Sequence, residues 1–197
     1  SDILDSGKPA RRVIAEDAIQ KELLHELCLL TDKPVLYVAN VSEDELVQGN
    51  KFVDQLKVVA EKEESYVVII SGNIEQELSQ LSSEDQAEFL ADLGMEEPGL
   101  NRLIHAGYSL LGLITFFTVG EKETKAWTIK KGTKAPGAAG KIHSDFERGF
   151  IRAEVLAYQD YIQCGSEAKA KEKGLMRSEG KEYVVHDGDC ILFRFNV

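Results

Sequence analysis

Two short runs of apolar, β-branched and aromatic residues limit the fold most strongly. They are PVLYVAN at 34–40 and YVVII at 66–70. Both are short and lack polar alternation, so each reads as a strand covered on both faces. The stretch between them, NKFVDQLKVVAEKEE at 50–64, returns to helical period. A strand, a helix and a strand of these lengths predict a βαβ unit, with parallel strands and a right-handed crossover. Both carboxyl ends then lie on one side, where open α/β sheets bind ligands.

Helical signals surround this unit. Ile19, Leu23, Leu27 and Leu30 recur at helical spacing and predict an amphipathic helix over 11–30. Thr31-Asp32-Lys33-Pro34 ends it, because proline cannot continue a helix and turns Lys33 away from helical geometry. Ser83-Glu84-Asp85-Gln86 reads as a capping box opening a helix that stops near Gly94. Pro98 opens another, with Leu100, Leu103, Ile104, Leu110 and Leu111 on its apolar side. Gly112 marks the expected boundary between domains 1–112 and 113–197. Beyond it, 113–119 and 124–130 predict a hairpin around Gly120. A short helix near 136–144, a strand near 150–157 and a polar helical stretch follow. Strands at 181–185 and 190–197 are expected on either side of a His-Asp-Gly-Asp turn. A mixed sheet with one packed helix is a β-grasp.

The formal charge of −11 is unevenly spread. Residues 1–112 carry 9 Lys and Arg against 22 Asp and Glu, and residues 113–197 carry 14 against 12. The acidic part repels nucleic acid; the second part does not. Cys28, Cys164 and Cys190 are odd in number and widely spaced, which fits reduced thiols in or near the core of a cytoplasmic protein. The longest apolar run, LLGLITFFTV, is too short for a membrane span.

Asn40-Val41-Ser42-Glu43 follows the first predicted strand, and Ser71-Gly72-Asn73 follows the second. A carboxamide such as that of Asn40 offers one donor and one acceptor, the complement of adenine N7 and N6. A purely structural reading also fits. Ser42 and Glu45 make a capping box, Glu43 is an acid at a helix start, and Ser71 is an N-cap. His143, with Asp145 and Glu147 close by, reads as packing or capping, and the carboxylates of His186-Asp187-Gly188-Asp189 read as turn chemistry. Lys130, Lys131, Lys134 and Lys141 form one basic group; Lys169, Lys171, Lys173 and Arg177 form another. Solvated surface and contact with RNA phosphates both account for them.

The C-terminal eighty residues carry a resemblance that spacing alone does not. The blocks AWTI, KG-x-x-AP-x-AAG-x-IH-x-DFE-x-GFI-x-AEV and DGD-x-x-x-F-x-FNV, between Ala126 and Val197, closely resemble the TGS domain of the Obg-related, YchF-type ATPases. The resemblance implies an α/β chain: a partial P-loop NTPase (Rossmann-like) remnant with a helical flank, then a β-grasp (ubiquitin-like) TGS domain. It also implies that Asn40, Val41 and Glu43 form a base-reading loop, with Ser71, Gly72 and Asn73 closing around the base. GTP-binding proteins carry Asn-Lys-x-Asp at the first loop. The Asn-x-x-Glu variant implies preference for ATP, with Val41 giving apolar contact.

The family's chemistry needs a Gly-x4-Gly-Lys-Ser/Thr loop for phosphates and Mg²⁺. The nearest run here, APGAAGKI from Ala135 to Ile142, has alanine at the first glycine and isoleucine where the hydroxyl belongs. It is expected to be a packing helix. The chain is therefore expected to be a C-terminal fragment, inactive alone, whose parent takes phosphate and Mg²⁺ contacts from the other half. Docking on a ribosome or RNA through 113–197 is the implied partnership. The alternative is a stand-alone interaction module without nucleotide chemistry.

Overall fold

The computed structural model describes residues 2–120 and 123–196 and divides the chain into two compact units, Ser1–Leu110 and Leu111–Val197. In the first unit, α1 (Asp2–Asp5) and a 3-10 turn at Ala10–Arg12 precede α2 (Ala18–Glu26). The helix expected over 11–30 is thus only nine residues long. Asp17 caps it by accepting from the Gln20 N–H, and Cys28, with φ 47°, follows its end. Its expected apolar stripe is not buried: Ile19, Leu23, Leu27 and Leu30 are 54–80% exposed. Without tertiary packing a short helix has little to extend it.

The βαβ reading holds. β1 (Leu36–Asn40) leads through α3 (Glu43–Gln48) and α4 (Lys51–Glu63) to β2 (Tyr66–Ile70). The strands pair in parallel from Leu36↔Tyr66 to Asn40↔Ile70. The Asn50 side chain caps α4 by accepting from the Phe52 and Val53 N–H groups. Val53 and Ala60 are the buried residues of this helix.

α5 (Gly72–Leu78), α6 (Ser83–Asp92) and α7 (Gly99–Leu110) complete the unit. The cap of α6 is Ser82, one residue before the expected Ser83. Its hydroxyl donates to Asp85 Oδ2 at 2.8 Å and accepts from the Asp85 N–H at 3.3 Å. Asp85 therefore takes the third helical position and shifts the box by one. α7 starts after Pro98, and the Glu75 carboxylate accepts from the Gly99 and Leu100 N–H groups at 2.7 and 3.0 Å.

The second unit contains β3 (Leu113–Val119), β4 (Thr124–Lys130), α8 (Ala135–Ile142), α9 (Ser144–Arg148), β5 (Phe150–Ala157), α10 (Tyr158–Cys164), α11 (Glu167–Glu172), β6 (Arg177–Glu179) and β7 (Asp189–Phe195). The sheet order is β4-β3-β7-β5-β6. β3 and β7 are parallel at its centre, and the other neighbours are antiparallel. This is a β-grasp topology. On one face Ala135, Ala138 and Ala139 of α8 pack against Phe116, Ile129, Val155 and Phe193. α10 and α11 cover the other face, where Cys164 and Ala170 meet Leu156 and Cys190.

Two expectations for this unit change, and one for the cysteines. The helix near 136–144 is broken into α8 and α9 by extended His143, which caps α9 by accepting from the Asp145 N–H. Residues 181–185 are not a sheet strand. Their backbone bonds instead to the loop before α8, with Ala135 N–H donating to Tyr183 O and Val185 N–H to Thr133 O. The short β6 takes the place beside β5. Of the three thiols expected in or near the core, Cys28 is exposed and the other two are buried. Burial, with Asp189 adding to it, pushes the Cys190 thiol up from its ordinary value.

Candidate functional site: the loops at the carboxyl ends of the parallel strands

Both segments singled out in the sequence leave the β1–β2 pair at its carboxyl end. The Val41 N–H donates to Ile70 O at 2.9 Å and holds the first loop to the second strand. One residue earlier, Asn40 Oδ1 accepts from the Gly72 N–H at 2.9 Å. Only the oxygen of a carboxamide accepts, so this bond orients the side chain and leaves Nδ2 as the donor. Asn40 and Gly72 are both exposed.

Ser42, Glu45 and Asn50 stiffen the first loop. The Ser42 hydroxyl donates to Glu45 Oε2 at 2.9 Å, in a full capping box at the start of α3. Hydrogen bonds from Ser42 and then Asn50 hold the Glu45 carboxyl below its ordinary value. The box uses Glu45 and leaves Glu43 exposed at the first position of α3. Val41 is half-buried. In the second loop Ser71 is buried, and its carbonyl accepts from the Glu75 N–H at 3.0 Å. Ser71 occupies the N-cap position, but its hydroxyl makes no capping bond. Asn73 is exposed in the first turn of α5. A Cβ on Gly72 would lie 3.5 Å from Asn40 Oδ1, ordinary contact, so protein packing alone does not require glycine there.

Glu75 and Arg102 support these loops and were not legible beforehand. Their partners lie 24 and 33 residues away, beyond any local pattern. Arg102 donates to Ile69 O at 3.1 Å, just before the second loop.

The loops offer the carboxamides of Asn40 and Asn73, the Val41 side chain, serine hydroxyls, the Glu43 carboxylate and backbone groups, but no lysine. APGAAGKI forms α8, whose three buried alanines serve the core of the second unit. The other titratable groups are tied into structure. His143 caps α9, and Asp145 pairs with Arg148. Asp187 accepts from the Thr115 N–H at 2.7 Å, and Asp189 accepts from the Tyr183 hydroxyl and the His186 N–H at 2.7 and 2.9 Å. Of the lysines, Lys134 pairs with Glu182 at 2.5 Å, while Lys130, Lys131 and Lys141 are exposed. Lys169 and Lys171 lie in α11, and Lys173 follows its end.

An α/β unit with two loops at the carboxyl ends of its parallel strands, followed by a β-grasp unit, defines the class of this protein. Residues 113–196 match the family YchF-GTPase_C, described as a protein of unknown function. The chain is 55% identical over 195 residues to the ribosome-binding ATPase YchF of Bacillus subtilis (strain 168), covering 98% of this chain and 53% of that protein. It is 50% identical over 186 residues to the ribosome-binding ATPase YchF of Haemophilus influenzae, covering 94% and 51%. The solved structure of the Schizosaccharomyces pombe YchF GTPase superposes with a TM-score of 0.82 at 35% identity, covering 96% of this chain and 50% of that one. A GTP-binding protein from Pyrococcus horikoshii OT3 shares the fold, with a TM-score of 0.59 at 17% identity over 98% of this chain and 55% of that one. The chain belongs to the YchF-type family, and it spans about half the length of the curated relatives it matches.

Proposed function

We propose that this chain carries the base-reading side of an ATP-binding protein, with Asn40, Val41 and Glu43 on one loop and Ser71, Gly72 and Asn73 on the other. The observation behind this reading is the bond from the Gly72 N–H to Asn40 Oδ1. It locks the two loops together and sets the direction of the carboxamide. One lone pair of Oδ1 is then occupied and the second remains. That lone pair suits the N6 amino group of adenine, while Nδ2 donates to N7. Guanine also has N7 but presents O6, an acceptor, where adenine has its amino group. Selection therefore rests on Oδ1. Val41 adds apolar contact, and the exposed Glu43 stands where a shorter aspartate would read guanine.

Phosphates and Mg²⁺ would supply most of the affinity of a nucleoside triphosphate and the electrostatics of its hydrolysis. No residue set at these loops suits them, so this chain alone selects a base weakly and does not turn over ATP. We further propose that residues 113–197 act as a TGS-type docking unit toward a ribosome in the cytoplasm. The names of the relatives support this, as do the exposed Lys130, Lys131 and Lys141. No helix among the described residues is long and apolar enough to cross a membrane.

The test is titration of the chain with ATP and GTP, with and without Mg²⁺, followed by the amide signals of Asn40, Val41 and Gly72. The expected result is weak, adenine-selective perturbation that Mg²⁺ does not strengthen. Equal response to both bases overturns the reading. So does Mg²⁺-dependent ATP binding tighter than about 0.1 mM, which is near −5.5 kcal/mol. For the docking unit, binding to ribosomes should fall steeply between low and moderate salt if lysine–phosphate contacts carry it. Salt-insensitive binding would point instead to a stand-alone module that docks on protein.

A further inference from the structure

The second loop is not held by its own residues. Ser71 stands at the N-cap position of α5, but its hydroxyl makes no capping bond. Gly72 and Asn73 follow it, both exposed. The segment is fixed instead at Ile69, Gly72 and Glu75. The Ile69 carbonyl accepts from Arg102 of α7 at 3.1 Å. The Gly72 N–H donates to Asn40 Oδ1 at 2.9 Å. The Glu75 carboxylate accepts from the Gly99 and Leu100 N–H groups at the start of α7. α7 therefore grips the loop on both sides, and Asn40 meets it in the middle.

Both grips are built by tertiary packing. The Val41 N–H donates to Ile70 O, so the Ile69 carbonyl turns outward, away from β1. Arg102 reaches that carbonyl, and its Nε is buried without a hydrogen-bond partner among the described residues. Burying an unpaired N–H costs free energy, so the guanidinium is held there against its own preference for water. Glu75 is placed as unusually. An acid in a first turn commonly serves its own helix. Glu75 gives both oxygens to α7 instead. Gly99, Arg102, Leu103, Ala106 and Leu110 recur at helical spacing on the covered side of α7, which lies on β2 and β1. A Cβ at Gly99 would lie 2.7 Å from Glu75 Oε1 and 3.0 Å from Ile70 Cγ2. Glycine lets the helix begin directly against the loop.

We infer that Glu75 and Arg102 are positioning residues for base selection, acting through the Gly72 N–H on the Asn40 carboxamide. The inference rests on the nucleotide reading of these loops. A carboxamide is nearly symmetric in shape, and a half-turn about its last bond exchanges Oδ1 with Nδ2. In the turned state Nδ2 faces the amino group of adenine, donor against donor. Oδ1 then faces N7, acceptor against acceptor. The Gly72 N–H opposes that turn because it needs an acceptor. It does so only while the loop keeps its place, which the bonds at Ile69 and Glu75 secure. Loosening either bond lets the loop drift and the carboxamide turn. Preference for adenine then falls although Asn40 itself is unchanged.

Amide spectra and hydrogen exchange of the full chain test it, with Glu75→Ala, Glu75→Gln and Arg102→Met. Glu77→Gln removes a like charge from the exposed side of α5 and controls for repulsion of the nucleotide. In the free chain, the Gly72 N–H of Glu75→Ala and Arg102→Met should exchange about tenfold faster relative to the β1–β2 ladder. With ATP or GTP added, the ratio of the two responses should fall toward one in both variants. Glu75→Gln keeps one acceptor and should lie between Glu75→Ala and wild type. Glu77→Gln should match wild type. Arg102→Met acts at the other end of the loop, so it decides if Glu75→Ala fails to fold. Lower stability with an unchanged ratio would make both residues merely structural and overturn the inference. An equal fall in Glu77→Gln would assign the effect to charge and overturn it as well. A wild-type chain that answers both nucleotides equally sinks the nucleotide reading and this inference with it. A selective wild type matched by the variants overturns the inference alone.

Discussion

The carboxamide oxygen of Asn40 accepts the backbone N–H of Gly72 at 2.9 Å, across 32 residues of sequence. One side chain thereby joins the two loops at the carboxyl end of the sheet and fixes its own donor and acceptor. Replacing it separates these two roles. Asn40→Asp keeps an acceptor for Gly72 but loses the Nδ2 donor and adds a charge. Adenine selectivity should fall, read as the ratio of ATP to GTP response in amide shifts. Asn40→Ala should also release the Gly72 N–H and cost about 1 kcal/mol of unit stability, the usual net worth of one hydrogen bond.

The start of α7 is tightly packed and its middle is not. A Cβ at Gly99 would lie 2.7 Å from Glu75 Oε1 and 3.0 Å from Ile70 Cγ2. Gly99→Ala should therefore disturb the cap and cost about 1–3 kcal/mol through overpacking. At Gly107 a Cβ meets nothing within 4 Å. Gly107→Ala should stabilise the same helix by about 0.8–1 kcal/mol, the propensity difference. Urea unfolding followed by circular dichroism distinguishes the two. Equal effects would contradict the packing described for Gly99.

Glu154 is buried on β5 between Arg194 and Arg152, at 3.0 and 3.1 Å. The Arg194 guanidinium, and then Arg152, hold its carboxyl below the ordinary value of 4.5, against the opposing effect of burial. A depressed folded-state value means that the stabilisation is present above about pH 4.5 and is lost as pH falls through the folded value. The second unit should lose thermal stability below pH 4.5, and Glu154→Gln should flatten that fall. The single tryptophan, Trp127, lies in this unit and reports its unfolding. A wild-type profile that matches Glu154→Gln would remove Glu154 from the acid response.

Asp189 is a buried carboxylate satisfied by the Tyr183 hydroxyl at 2.7 Å and the His186 N–H at 2.9 Å. Burial, and then the hydrogen bond and charge of Asp189, push the Tyr183 phenol well above its ordinary value. Tyr183→Phe should cost about 1–3 kcal/mol, because it takes one donor from a buried acceptor. It should also remove the last tyrosine absorbance change to appear in alkaline titration. Unchanged unfolding of this variant would show that water replaces the phenol at no cost.

Much of the framework was legible because it depends on local pattern. Strand 66–70, the hairpin strands 113–119 and 124–130, and strand 150–157 coincide with the expected elements, since apolar runs bounded by turn residues leave few choices. The expected helix over 11–30 shrank because its leucine stripe has nothing to pack on, and a pattern does not reveal whether a partner is present. Residues 181–185 have strand-like composition, but their backbone found partners in the loop at 133–135. That choice depends on where α8 sits and not on the residues themselves.

By itself the sequence determined the βαβ order, the two loops at the carboxyl ends of the strands, and the family that the C-terminal blocks resemble. These follow from periodicity, turn chemistry and motif, all short-range properties of the chain. Only the tertiary structure decided that Asn40 orients itself on Gly72, that Glu75 caps α7, and that Arg102 donates to the outward carbonyl of Ile69. Each of these joins groups 24 or more residues apart, and such pairings exist only once the strands and helices have packed.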